Sequence, residues 1–358
     1  MAKVAPRWGK SLLGLMSSLR RGAGKYYEKM NSSHSSYPIT NQTLANARQG
    51  DVLVLGSSTQ DSTVGVGGLL SVKGRMNSDL SSQALMQTHL ACPACHSRIT
   101  IEAPRYVCTA CAQAGEIREN VFLAKPVANT HYFDDMHRLM QTGNQSPEIR
   151  EMCYEQQSRI LTEMIRPGDV IVDIGCGPVI HFDRPKDCVL IGVDPSFDSI
   201  RVNTKLDIRV FGSAASVPLR DDSVDRVSLF YSVHHMIGNT VEENAANVTA
   251  ALRECGRVIR PGGTLVVFDM SPWWPFWHAQ RLGWNRARQS LSGKLDMFFW
   301  RDSALRRLGE GAFGKKTFES EDFKISPFLV FPPVFSRPEL RVPRFLYPFD
   351  IKMYKWSF

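Results

Sequence analysis

The chain has no run of 18 or more apolar residues, so none of its segments reads as a helix spanning a bilayer. Its first 27 residues hold neither an acid nor a continuous apolar core, which argues against a secretory signal. Cysteine is scarce and unevenly spread. Cys153, Cys176, Cys188 and Cys255 stand alone, an arrangement that argues against a secreted disulfide framework and for a reducing compartment. From Asn31 to Gln83 large apolar side chains are few and Ser, Thr, Asn, Gln and Gly abundant. Such a stretch cannot bury enough surface to fold, so it reads as a linker with one isolated strand candidate, Asp51 to Leu55. These deficits predict a soluble or peripheral protein, cytoplasmic or held at a membrane surface.

Acid is also short overall. Lys and Arg number 43 against 35 Asp and Glu, a formal charge of +8. That is a diffuse bias toward an acidic partner such as nucleic acid or an anionic membrane, or simply toward solubility. Lys3, Arg7, Lys10, Arg20, Arg21 and Lys25 all precede the first acid, Glu28, while Trp8, Leu12, Leu15, Met16 and Leu19 recur at helical spacing. Three readings of this basic amphipathic segment stay open: peripheral membrane contact through residues 1–27, a mitochondrial targeting peptide, and a solvated tail.

The remaining four cysteines are clustered. Cys92 and Cys95 form one Cys-x-x-Cys knuckle, Cys108 and Cys111 a second, with 12 residues between them. Two tight turns at this spacing present four thiolates to one tetrahedral zinc, with His96 the less favoured substitute ligand. A redox pair would need a single knuckle beside a βαβ unit, and this segment has too little apolar mass to fold alone. A closed four-sulfur site leaves no open position on the metal, so the expected zinc is structural.

Further along, Val170-Ile171-Val172 and Val189-Leu190-Ile191 suit strands buried on both faces. The first runs into Asp173-Ile174-Gly175-Cys176-Gly177 and the second into Val193-Asp194, so the two aspartates are 21 positions apart. A glycine turn lets backbone approach a ligand at the carboxyl end of a strand, and an acid about 20 positions on accepts bonds from ribose hydroxyls. Arg209 to Phe211, Ser223 to Phe230 and Thr264 to Asp269 read as further strands, and Ala250 to Val258 as a helix stopped by Ile259-Arg260-Pro261-Gly262-Gly263. An amphipathic helix is expected over Tyr154 to Ile165, ending at Arg166-Pro167-Gly168.

Taken together, the stretches 170–177, 191–194, 212–219, 223–235 and 252–269 resemble the class I S-adenosylmethionine-dependent methyltransferases, in particular their type 11, UbiE-like group. The segment 106–123 resembles the zinc ribbons that precede some such domains. The resemblance implies an α/β, Rossmann-like sheet, mostly parallel with an antiparallel last strand. The expected organisation is a basic tail and linker over 1–83, a zinc ribbon over 84–126, and a methyltransferase domain over 127–358 with an insert at 271–324. Ile325 to Phe331 and Phe349 to Trp356 are expected to be the last two strands.

The resemblance also implies the cofactor, S-adenosyl-L-methionine, and its site: Asp173 and the turn from Gly175 to Gly177 beside the methionine half, Asp194 on the ribose, and Phe230, Tyr231 and Ser232 along the edge. The chain departs from the family in three ways. Val179 replaces a third glycine and Pro185 follows soon after, so the next helix should last only a turn or so. Gly212-Ser213-Ala214 stands where an acid usually meets the adenine amine, which leaves Ser213 as a neutral, weaker partner.

Methyl transfer needs a general base only when the acceptor arrives protonated, so no catalytic residue is obligatory. His234, His235 and Asp269 are weak candidates. The expected function is methyl transfer to a small or lipid-like acceptor, because the Trp- and Phe-rich stretch 273–300, with Arg281, Arg286 and Arg288, sits where an acceptor pocket would be built and would act as its lid or wall. The alternatives are an RNA base methyltransferase that uses the ribbon for recognition and a non-catalytic binding protein of the same fold. Acceptor atom and oligomeric state are not legible.

Overall fold

The computed structural model describes residues 82–124, 155–290, 296–323, 328–330, 341–343 and 348–358. The basic tail 1–27 and the strand candidate at 51–55 lie outside the described residues. No described helix is long and apolar enough to cross a membrane.

After a helix α1 over residues 82–89 come four short strands: β1 (Ile99–Glu102), β2 (Arg105–Cys108), β3 (Ala114–Arg118) and β4 (Val121–Leu123). Then follow α2 (Gln156–Met164), β5 (Val170–Ile174), β6 (Val189–Asp194), α3 (Phe197–Val202), β7 (Ile208–Phe211), β8 (Val224–Phe230), α4 (Val241–Val258), β9 (Ile259–Pro272), α5 (Trp274–Ser290) and α6 (Asp302–Phe313). The chain ends with β10 (Thr317–Asp322), β11 (Phe328–Val330), β12 (Arg341–Pro343) and β13 (Phe349–Ser357).

Among these, eleven strands make one sheet in the order β1-β2-β3-β4-β7-β6-β5-β8-β9-β13-β10. The run from β4 to β9 is parallel, and β13 is antiparallel to both β9 and β10. The mostly parallel, Rossmann-like sheet is thus present with its antiparallel last strand. Ile171, Val172, Leu190, Ile191 and Val193 are buried, as near-continuous apolar strands covered on both faces must be. Chain order reverses between β5 and β8, and a doubly wound sheet opens its ligand crevice outside the carboxyl ends of such a pair.

Local chemistry sets the helix ends. Thr240 caps α4 by accepting the Glu243 N–H at 3.1 Å, with Glu242 and Glu243 in the first turn where the helix dipole favours acids. Ser196 caps α3 by accepting the Ser199 N–H at 3.1 Å.

Two expectations need correction. The strand beside β13 is Thr317–Asp322, not 325–331; within that interval β11 pairs with β12 in a separate two-stranded sheet. The edge strand was hidden by its polarity, since Thr-Phe-Glu-Ser-Glu-Asp is nearly all exposed. Charged edges of this kind protect a sheet against further pairing. Its register sets cross-strand partners opposite one another: Phe318 packs on Trp356 at 5.0 Å, Lys355 Nζ meets Glu319 at 3.0 Å and Lys352 Nζ meets Asp322 at 2.8 Å. The second correction concerns the short helix after the glycine turn, because no helix forms between residues 175 and 188. Pro178 and Pro185 each lack an N–H, and side chains hold the loop instead: Arg184 binds the Cys188 carbonyl at 2.5 Å and Asp207 at 2.7 Å.

Candidate functional site

The glycine turn is built for close approach. Gly175 has φ 75°, its N–H donates to the Val193 carbonyl at 2.7 Å, and a Cβ there would lie 2.6 Å from Ser232 Cβ. Only glycine meets both conditions. Gly177, with φ 60°, has no atom within 4 Å of where its Cβ would be, so the turn borders open space.

The acids predicted for the site converge on this turn. Asp194, at the end of β6, is buried; its Oδ2 accepts the Gly177 N–H and its Oδ1 the Ser196 N–H, each at 2.8 Å. Asp173 accepts the Ser228 hydroxyl at 2.6 Å. Burial pushes its carboxyl up to about 7, against the Ser228 bond and helped by the charge of Asp194. On the β8 side, Ser232 Oγ donates to the Ile174 carbonyl at 3.0 Å, which closes the two strand ends together. Tyr231 takes a left-handed φ of 52°, costly for a residue with a side chain. Its hydroxyl accepts from Gln157 Nε2 of α2 at 3.2 Å, so α2 reaches the crevice. Phe230 packs on Phe268 at 5.1 Å. Ser213 lies after β7, where its Oγ accepts the Ala215 N–H at 3.2 Å, while the neighbouring Gly212 N–H donates to the Asp194 carbonyl at 3.0 Å.

Two participants escaped the sequence reading. His181 stacks against Phe230 at 5.9 Å, and burial, with a smaller push from Lys205, lowers its pKa to about 4. Gln157 is fully buried at the crevice. Neither lies in a recognisable motif; both arrive by tertiary packing.

The three weak catalytic candidates are sorted by the structure. His234, in the turn after β8, and Asp269 of β9 form a buried pair: Nδ1 lies 2.7 Å from Oδ1, and the His234 N–H donates to Oδ2 at 3.2 Å. With Nδ1 as donor, Nε2 is the basic nitrogen. His235 turns away, its Nδ1 lying 3.0 Å from the Asp296 carbonyl. Burial drives its pKa down to about 3, with the neighbouring His234 adding to the shift.

The large rings of the aromatic stretch join the core. Trp277, Trp284, Phe298 and Trp300 are buried, and Phe298 stands 5.7, 5.0 and 4.9 Å from the three tryptophan rings. Arg281 lies over Trp277 at 5.6 Å and Arg288 pairs with Asp296 at 3.6 Å. The fringe of the stretch does reach the strand ends, where the Phe299 ring lies 5.2 Å from His234 and the Phe298 N–H donates to the His234 carbonyl at 2.8 Å.

The four clustered cysteines also come together. Their sulfurs all lie within 4.8 Å of one another, with pairs at 3.5–3.6 Å. A tetrahedral zinc at 2.3 Å from each sulfur requires separations of about 3.8 Å. Backbone N–H groups of Ala94, Ala110 and Cys111 point at the sulfurs of Cys92 and Cys108 at 3.3–3.4 Å, and those of Cys111 and Ala110 pull the Cys108 thiol below its ordinary range. Hydrogen bonding by Ser97 pulls the Cys95 thiol down to about 6.

Residues 172–267 match a protein family described as "Methyltransferase domain". The chain is 33% identical over 122 residues to a ubiquinone/menaquinone biosynthesis C-methyltransferase of Rubrivivax gelatinosus, covering 31% of this chain and 45% of that protein. It is 32% identical over 117 residues to a 27-O-demethylrifamycin SV methyltransferase of Amycolatopsis mediterranei, covering 29% and 40%. A tRNA (carboxymethyluridine(34)-5-O)-methyltransferase of Macaca fascicularis matches at 28% over 102 residues, covering 28% and 14%. The chain therefore spans less than half the length of each of these relatives.

Proposed function

We propose that this protein, whose residues 172–267 carry the methyltransferase domain, transfers a methyl group from S-adenosylmethionine to a small or lipid-like acceptor. The observation that carries the reading is the open space over Gly177, at the reversal of the sheet, flanked by the buried carboxylates Asp173 and Asp194. A nucleoside bearing a positive charge fits such a place. Ribose hydroxyls would find Asp194, and a cation would relieve the cost of ionising Asp173 in a buried site.

When bound, S-adenosylmethionine supplies an electrophilic methyl on a sulfonium. The residues around it need only position and protect. Phe230 and Tyr231 would wall the site against water, and α2 would cover it through Gln157. Where the acceptor arrives protonated, His234 Nε2 would take the proton, with Asp269 holding the ring through Nδ1. The small-acceptor reading is supported by two relatives named for ubiquinone/menaquinone biosynthesis and for demethylrifamycin. For the cysteine cluster the proposed occupant is structural zinc, since four thiolates close its coordination shell.

Calorimetry with S-adenosylmethionine and its demethylated product tests the cofactor. Binding by the parent is expected, with roughly a tenfold or larger loss for Asp194→Ala and a smaller one for Asp194→Asn, which keeps one acceptor oxygen. No binding by the parent would reduce the protein to a non-catalytic member of the fold. Labelled cofactor incubated with separated lipid, small-molecule and RNA fractions then identifies the acceptor. Label in lipid or small molecules supports the proposal, and label in RNA alone overturns it.

A further inference from the structure

The cysteine ribbon and the crevice are joined by more than the chain between them. β4 is the parallel neighbour of β7, with Val121, Phe122 and Leu123 opposite Arg209, Val210 and Phe211. The Ala124 N–H extends the ladder to the Phe211 carbonyl at 3.0 Å, at the carboxyl end where the crevice lies. Without β4, β7 would be an open edge of unpaired amides. The first knuckle then straps the loop that follows β7. Ser216 Oγ donates to the Pro93 carbonyl, between Cys92 and Cys95, at 3.3 Å. The Ala91 N–H donates to the Pro218 carbonyl at 2.8 Å, and Leu90 bridges to Leu219. Residues 213–219 are thus tied at their middle and end to backbone whose shape the sulfurs set.

A second contact runs to the segment after Asp194. Arg118 of β3 lies over the Phe197 ring at 4.5 Å, and Glu119 is 3.7 Å from Arg201 of α3. Phe197 in turn meets Phe211 edge-on at 5.9 Å. Both chain segments leaving the floor of the crevice on this side, one after β6 and one after β7, therefore rest on the ribbon.

We propose that metal at Cys92, Cys95, Cys108 and Cys111 sets cofactor affinity, by holding the loop 213–219 and the Phe197–Phe211 wall in place. The proposal rests on the reading of the crevice as an S-adenosylmethionine site. Its physical basis is that metal binding in a segment too small to fold alone is folding free energy for that segment. With the metal gone, the knuckle and the strand it anchors loosen, and ordering the wall is charged to cofactor binding. Ser216 and Arg118 are positioning residues here, since they act through the loop and through Phe197.

The test uses the full chain loaded with zinc, stripped by chelator, and reloaded. S-adenosylhomocysteine is titrated by calorimetry, and amide hydrogen exchange is followed in parallel. Stripping should raise Kd by roughly 5- to 100-fold, reversibly, while exchange quickens in 194–219 and β9 and α4 stay protected. Ser216→Ala and Arg118→Ala should keep full metal yet weaken binding by a smaller factor, roughly two- to tenfold. A ribbon that merely folds itself would leave the affinity of those two variants unmoved. Unchanged affinity in the stripped protein, or in both metal-replete variants, overturns the proposal. If stripping unfolds the whole chain, the two variants decide. If the parent binds no S-adenosylhomocysteine, the cofactor reading has failed, and exchange in 194–219 on zinc removal decides separately whether the ribbon braces that wall.

Discussion

Beyond β7 the sheet continues into the ribbon, which buries Met86, Leu90, Tyr106 and Phe122 and adds ladder bonds, a few polar straps and four thiols. Beyond β8, α5, residues 296–300 and α6 supply a cover of aromatic rings, with Phe298 and Leu305 essentially inaccessible. The first flank combines a small apolar core with a four-sulfur cluster able to take a removable ligand. The second depends on apolar area that water cannot reach, and so should carry more of the folding free energy while contributing less to the control of the crevice.

The largest effect should come from the aromatic flank. Phe298→Ala removes a fully buried ring standing among three tryptophans, and is expected to lower stability by about 3–5 kcal/mol in chemical denaturation. Metal content should not change. A loss below about 1 kcal/mol would mean that this flank is not core.

The ribbon side offers a smaller, polar counterpart. Arg257 binds the carbonyls of Val217 at 2.9 Å and Leu219 at 2.7 Å, and pairs with Glu254 at 2.8 Å and Asp221 at 2.7 Å. Arg257→Ala should cost about 2–3 kcal/mol because it strands these acceptors. Lysine, lacking the planar fork, should restore only part of it. Equal losses from Phe298→Ala and Arg257→Ala would erase the distinction between the flanks.

Between the flanks, Asp173 offers a probe that touches neither. Its folded pKa of about 7 lies above its ordinary 3.8, so its contribution to stability is fully present below about pH 4 and is lost as pH rises through about 7. From pH 5 to 7 the parent, free of cofactor, should lose on the order of 1–2 kcal/mol that Asp173→Asn does not lose. Parallel pH profiles of the two proteins would show the carboxyl to be ordinary.

The smallest effect is expected on the outer face of α5. Trp274 and Leu282 are 58% and 85% exposed, against 7% for Trp277 and 3% for Trp284 on the inner face. Trp274→Ala and Leu282→Ala should each change stability by less than about 0.5 kcal/mol in the same denaturation assay. A larger loss would mean that the aromatic content of α5, rather than its buried face, is what matters.

Where the sequence was readable, the constraint was local. Gly175 and Gly177 hold positive φ, so few other residues could stand there, and Asp194 meets the turn because two parallel strands bring their ends side by side. The cysteine spacing was equally local, since two knuckles need only close a tetrahedron. Where the reading failed, the missing information lay in partners distant along the chain. β10 lay unrecognised inside the insert expected at 271–324 until Lys352 and Lys355 stood opposite its acids. That Trp277 and Trp284 of α5 pack on Phe298 was not legible either, because the periodicity of a helix tells which face is apolar but not what covers it.

By itself the sequence determined the parallel sheet, the acids at its crevice and the four-sulfur cluster, because each follows from backbone sterics, strand period or ligand spacing over a few residues. Only the tertiary structure decided that His234 pairs with Asp269 while His235 turns away, and that the ribbon extends the sheet through β4 and straps the 213–219 loop. These contacts join residues 35 to 123 positions apart, as His234 to Asp269 and Pro93 to Ser216 show. No local preference encodes such a meeting; it exists only once the core has closed and fixed both partners in place.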